Sequence, residues 1–155
     1  MHIALLSAFF PPEEMHGIAR YIEDLAIGLA QNGHNVTVIS TSPNLRPIEQ
    51  RSGITIYWIE RSKSWWSSKL ASLARFRDSQ KIRGVLCELH LNQPFDIIEY
   101  PNDGITAISI LLQGISKPNP RFIVRLSSPK AIFKKNNLFP RLTELLEKWQ
   151  TNLSD

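Results

Sequence analysis

The sequence predicts an α/β fold: a doubly wound parallel sheet in a single domain. Three observations carry that prediction. Short apolar runs that do not alternate, Ile3 to Leu6 and Val36 to Ile39, read as strands buried on both faces. Segments with helical spacing fall between such runs, and alternating strands and helices imply parallel pairing with right-handed crossovers. The length of 155 residues suits one domain, able to bury roughly 68–70% of its unfolded surface.

Each element has a local reason. After the first strand, a proline-punctuated loop leads to Gly17, and from Ile18 the residues Ile18, Tyr21, Ile22, Leu25 and Leu29 fall on one helical face, with Ala26 beside them. Arg20, Glu23 and Asp24 take the other face. Asn32-Gly33 stops this helix, because glycine accepts the left-handed conformation at low cost. Ser42 to Gly53 holds two prolines among polar residues and reads as loop. Ile54 to Ile59 is a third strand, rich in β-branched and aromatic residues.

The segment that follows is helical but changes phase. Trp66, Leu70 and Leu73 share one face, whereas Ile82, Val85, Leu86 and Leu89 share another. Two helices, or one helix whose ends pack on different neighbours, both satisfy this pattern. Pro94 ends it, and Phe95 to Glu99 is a fourth strand. Ile105, Ile108 and Leu112 mark a short helix stopped at Gly114, and Phe122 to Leu126 is a fifth strand. Pro129 to Asn137 reads as basic loop, before a last helix on Leu138, Leu142, Leu145 and Trp149 with Pro140 in its first turn.

Composition excludes several classes. Charged residues at 21% and apolar residues at 43% describe an ordinary globular protein. No apolar run approaches the ~20 residues of a membrane-spanning helix, and no secretory signal precedes the first strand. The lone cysteine, Cys87, has no partner for an internal disulfide, which points to a reducing, cytoplasmic compartment. Nothing in the spacing of His, Cys and carboxylates suggests a metal site or a Ser-His-Asp arrangement.

The net charge of +4 is concentrated. Arg61, Lys63, Lys69, Arg75, Arg77, Lys81 and Arg83 stand against one acid, Asp78. Trp65 and Trp66 beside Lys69, Arg75 and Arg77 suit a peripheral contact with the inner face of a membrane, as indoles at the interface with cations on anionic lipid. A solvated basic face with the tryptophans in the core is the simpler alternative, and sedimentation with anionic against neutral vesicles separates the two. Nucleic-acid binding has no supporting motif.

Three landmarks then occur in order. IALLSAFFPPEEMHGIARYIEDLAIGLAQNGHNVTVIS, FDIIEYPNDG from Phe95 to Gly104, and RFIVRLSSP from Arg121 to Pro129 together resemble the N-terminal domain of retaining glycosyltransferases of the GT-B fold, subfamily 4-like. The resemblance covers almost the whole chain and implies a Rossmann-like domain, 1–155, on the acceptor side of an enzyme. Such an enzyme moves a sugar from a nucleotide-sugar donor to a sugar or lipid-linked acceptor hydroxyl with retention, and needs no cofactor besides that substrate. Two positions depart from the family pattern: its glycine pair is His16-Gly17 here, and its frequent histidine after the fifth strand is Ser127. The resemblance also implies a second domain that grips the nucleotide sugar with paired glutamates, and a further strand with an Ala-Asp signature. This sequence contains neither, so the chain is expected to be a truncated piece, inactive alone.

Candidate site residues follow. His16, Gly17 and Ile18 form the loop that, in complete relatives, faces the donor phosphates; the helix after it carries roughly half a positive charge at its N-terminus. Gly17 would allow close backbone approach, or would merely serve a tight loop. Glu99, Tyr100, Asn102 and Asp103 are expected at the same sheet edge, with carboxylates bonding sugar hydroxyls or acting on an acceptor proton. Asp103 as a helix cap is the plainer reading. Arg125 and Ser127 end the fifth strand, and Arg125 either pairs with Glu99 on the neighbouring strand or contacts phosphate. No catalytic residue is assigned. Two alternatives remain: pairing with a separately encoded C-terminal half, or a non-enzymatic binding module of flavodoxin-like shape.

Overall fold

The computed structural model describes residues 1–44, 46–62, 68–102, 108–115 and 118–126, without the side chains of 68–73, 108, 111 and 112. Asp103, Ser127, Trp65, Trp66, the basic loop and the last helix lie outside the described residues. The elements are β1 (His2–Ser7), α1 (Gly17–Gln31), β2 (Asn35–Ser42), β3 (Glu49–Arg51), β4 (Ile54–Glu60), α2 (Ser68–Asn92), β5 (Ile97–Pro101), α3 (Ile108–Gln113) and β6 (Arg121–Arg125). They form one six-stranded sheet in the order β3-β4-β2-β1-β5-β6.

Every pairing is parallel except β3 with β4. The chain runs outward from β1 to β2 and β4, then crosses by α2 to β5 on the other side of β1. The fold is therefore Rossmann-like, as the alternating elements imply.

Both faces of the sheet are covered at its central strands β1, β2 and β5, which is why these read as unbroken apolar runs. Ile3 and Leu5 of β1 pack with Ile22 and Ala26 of α1, Val36 and Val38 of β2, and Ile54 and Ile56 of β4. Ala4 and Leu6 face the opposite way, onto Ile82 and Leu86 of α2 and Ile110 of α3. Alternate residues of one strand thus feed two separate cores.

Three departures from the sequence reading have physical causes. On α1, Ile22, Ala26, Leu25 and Leu29 pack on the core as expected, but Ala19 joins them while Ile18 and Tyr21 are 40% and 54% exposed. Small side chains face the sheet, where the backbone must come close, and Glu23 is buried because Arg20 Nη1 (3.0 Å) and Arg51 Nη2 (3.2 Å) meet its carboxylate. The stretch read as loop from Ser42 to Gly53 contains β3. Its three residues are polar, so no alternation announces them; Ser52 and Gly53, with φ of 52° and 80°, make the two-residue turn that pairs them with β4.

The third concerns α2, which is one continuous helix. Asp78 and Ser79 occupy inward positions in phase with Ile82 and Leu86. Asp78 Oδ1 accepts from the Ser62 amide at 2.8 Å, and Ser79 Oγ accepts from the Ser109 amide at 3.1 Å. The apolar phase slips because polar residues hold the middle of the buried face.

At the opposite end of the sheet from the β1–α1 loop, His2 is buried against Phe95, ring centroids 4.1 Å apart. Its Nδ1 faces the carbonyls of Gln93 and Pro94, both at 3.2 Å, so Nδ1 carries the proton and Nε2 accepts from Thr37 Oγ1 at 3.2 Å. Burial pushes the His2 pKa below its usual value, outweighing the two carbonyls and Asp96. A histidine with a depressed folded pKa stabilises the fold above its unfolded pKa of about 6.5, and that contribution is lost as pH falls through the folded value. Urea melts between pH 7.5 and 5 should show falling stability, with a shallower fall in His2→Gln. Equal pH slopes in the two proteins would refute this.

Candidate functional site

Because β1, β2, β4, β5 and β6 run the same way, the loops that follow them leave from one edge of the sheet. The direction of strand order reverses between β1 and β5, and ligands of open α/β sheets bind outside the carboxyl ends of strands at such a reversal. The β1–α1 loop, Ala8 to His16, begins here.

Of the loop residues singled out by sequence, His16, Gly17 and Ile18 are all exposed. His16 is the N-cap of α1, with φ −80° and ψ 172°, and its side chain makes no capping hydrogen bond. Its ring meets Phe9 edge-on, centroids 4.8 Å apart. The first turn of α1 has no acidic residue. An uncapped, exposed helix start presents free amides and a partial positive charge. Gly17 does not adopt the left-handed conformation, and a Cβ built on it meets no atom within 4 Å. The fold therefore does not itself demand glycine at this position.

The second group divides. Glu99 lies within β5, in register with Leu5 of β1 and Ile123 of β6. Its oxygens stand 3.1 and 3.2 Å from Arg125 Nη1, and the two side chains are 9% and 8% exposed. Arg125 Nη2 continues to the Leu6 carbonyl at 3.2 Å. One guanidinium thus ties the ends of β6, β5 and β1 together. Burial raises the Glu99 pKa above the ordinary carboxylate value, while Arg125 pulls the other way without cancelling it.

Tyr100 is not at a cleft. It is 1% exposed, sits in the core on the α2 side, and meets the Phe122 ring at 6.3 Å; burial pushes its phenol pKa up. Asn102 is buried just beyond β5, and its amide donates to the Arg125 carbonyl at 3.1 Å. Arg75 and Arg77 are exposed on α2; Lys69 is in the same helix. Among the described residues, no group of three His, Cys, Asp or Glu could hold a metal, and no helix is long and apolar enough to cross a membrane.

Sequence reasoning missed the arginines beneath the loop. Arg46 Nη1 meets Glu13 Oε1 at 2.6 Å, with its guanidinium 4.6 Å from the Trp58 ring centroid, and Arg51 Nη2 donates to the Pro11 carbonyl at 3.0 Å. The available signal was the Ser52-Gly53 pair ahead of a strong strand, which marks a hairpin.

Comparison with known proteins agrees with the topology. Residues 15–155 match the family described as Glycosyltransferase Family 4. An uncharacterized glycosyltransferase of Methanocaldococcus jannaschii is 37% identical over 57 residues, which are 37% of this chain and 15% of that protein. Sucrose-phosphate synthase from Thermosynechococcus elongatus superposes with a TM-score of 0.66 and 14% identity, over 95% of this chain and 39% of that one. A second solved structure of that synthase gives 0.55 and 17%, over 85% and 66%. The two structural likenesses concern the fold. The chain thus spans well under half the length of the curated relative and of the first of these structures.

Proposed function

The chain belongs to Glycosyltransferase Family 4, and from that membership we propose that it forms the acceptor-side N-terminal domain of a GT-B enzyme that transfers a sugar, with retention, from a nucleotide sugar to an acceptor hydroxyl. In this proposal the start of α1 meets the donor's diphosphate across a cleft, and a second domain supplies the nucleotide site. The isolated chain then binds donor weakly and turns none over, since positioning of the reacting groups needs both halves.

One observation carries the proposal: an exposed, uncapped helix start at the strand-order reversal, with a glycine there that the fold does not require. A ligand that must approach the backbone closely explains that glycine where internal packing does not. Exposed Met15, Ile18 and Tyr21 flank it and favour a protein surface opposite, as an interdomain cleft supplies.

Titration of the labelled chain with uridine and guanosine diphosphate sugars should move the amide resonances of Gly17 to Arg20, saturating in the millimolar range. Gly17→Ala should keep or raise stability, by about 0.4–1 kcal/mol, and weaken that binding about tenfold, because a methyl group stands where the phosphate must come. No shift at millimolar ligand, or equal binding by the variant, would remove the diphosphate site.

A further inference from the structure

Among the described residues, contacts from β2, β3, β4 and their flanking loops fasten the β1–α1 loop to the β2 side of the sheet. Thr41 Oγ1 donates to the Ala8 carbonyl at 2.8 Å, and the Arg61 guanidinium lies 5.8 Å from the Phe9 ring centroid. Arg46 holds Glu13 and Arg51 holds the Pro11 carbonyl, at the distances given above. Arg51 is the hub of the set. The same Nη2 that bonds Pro11 is 3.2 Å from Glu23 Oε1 of α1, its Nε is 3.6 Å from Glu49 Oε1, and its Cζ stands 5.7 Å from the Phe10 ring centroid.

The short strand that supplies Arg51, Glu49-Gln50-Arg51, adds no apolar side chain to the core. Its contribution is a set of charges placed under the loop. A guanidinium carries five donors in a rigid fork, so one side chain can hold a loop carbonyl and a helix carboxylate together.

We propose that Arg51 is a positioning residue for the ligand site: it clamps the β1–α1 loop to α1 and thereby keeps the helix start ordered before ligand arrives. Binding to an ordered loop avoids the ordering entropy that a mobile one loses on capture. The functional part of this inference rests on the diphosphate reading above; the clamp itself does not.

Backbone order parameters of the full chain, measured without ligand, test the clamp. The Glu13 to Ile18 amides should be rigid in the wild type, about 0.85, and fall below about 0.6 in Arg51→Met. Leu25 to Ala30 should keep their values in both proteins. Arg51→Lys should recover part of the order, since an ammonium lacks the planar fork. Arg20→Gln removes the other cation on Glu23 without touching the loop, and should leave loop order unchanged.

Titration with inorganic pyrophosphate then reads the consequence: Arg51→Met should bind about tenfold more weakly than wild type. An unchanged loop in Arg51→Met, or equal loosening in Arg20→Gln, overturns the clamp. Local loosening with no pyrophosphate binding by the wild type supports the clamp and overturns the diphosphate reading instead.

Discussion

Arg125→Met should destabilise the fold by about 3–5 kcal/mol near neutral pH, because it strands a buried carboxylate. Glu99 has its charge opposed by Arg125 Nη1 at 3.1 Å, and both side chains are less than a tenth exposed. The same guanidinium bonds the Leu6 carbonyl, so the variant also leaves the end of β1 without that donor. The loss should depend on pH in a definite sense. Burial already raises the Glu99 pKa above 4.5, and removing the opposing cation raises it further. A carboxyl whose folded pKa is raised is least costly when protonated in both states, and its penalty grows as pH climbs through the folded value. Denaturant melts at pH 4.5 and 7.5 should therefore show the larger loss at 7.5. Glu99→Leu combined with Arg125→Met should regain most of it, since well-packed apolar pairs often match or exceed buried ion pairs. A loss below about 1 kcal/mol at pH 7.5 in the single variant would show that the pair is not the fastener described.

This pair also shows what the sequence could and could not disclose. An arginine inside the apolar strand FIV and a glutamate one strand away announce each other, because a charge in such a strand needs a partner. The strands announced themselves as well, since a sheet covered on both faces leaves no position for polar alternation. Hidden from view were the small and charged residues on the inner face of α1 and the charged contacts of residues 46–51. Ala19 and Glu23 face inward on α1 where Ile18 and Tyr21 seemed better candidates, because proximity to the sheet selects for small size and Arg51 compensates the carboxylate. Residues 49–51 hid as a strand because their value is electrostatic. Tyr100 looked like a cleft residue because it follows an acid at a strand end, yet the strand's pleat turns it into the core. At the site, the helix start was legible from its glycine and its following periodicity, and the scaffold beneath the loop was not.

Phe10→Ala should cost about 3–5 kcal/mol, the range for emptying a fully buried aromatic site. Although it stands in a loop, Phe10 is 0% exposed and belongs to the same core as Leu5, Ile22 and Val38. Its ring meets Trp58 edge-on at 6.2 Å, an aromatic contact that adds to simple burial, and the Arg51 guanidinium lies 5.7 Å from its centroid. For a domain of this length the midpoint of thermal unfolding should drop by roughly 6–20 °C. Phe10→Leu keeps most of the volume and should cost less than about 1.5 kcal/mol. The comparison separates two ways of holding a binding loop. Phe10→Ala should loosen Glu13 to Ile18 along with the whole fold, whereas Arg51→Met should loosen them alone. A Phe10→Ala chain that melts within about 2 °C of wild type would mean the loop is held from its charged side, with Phe10 a passenger. The expected outcome instead makes the phenylalanine of the Phe-Pro-Pro-Glu segment a core residue that carries the loop's root, while Gly17 at the exposed end is left free of packing duties and open to a ligand.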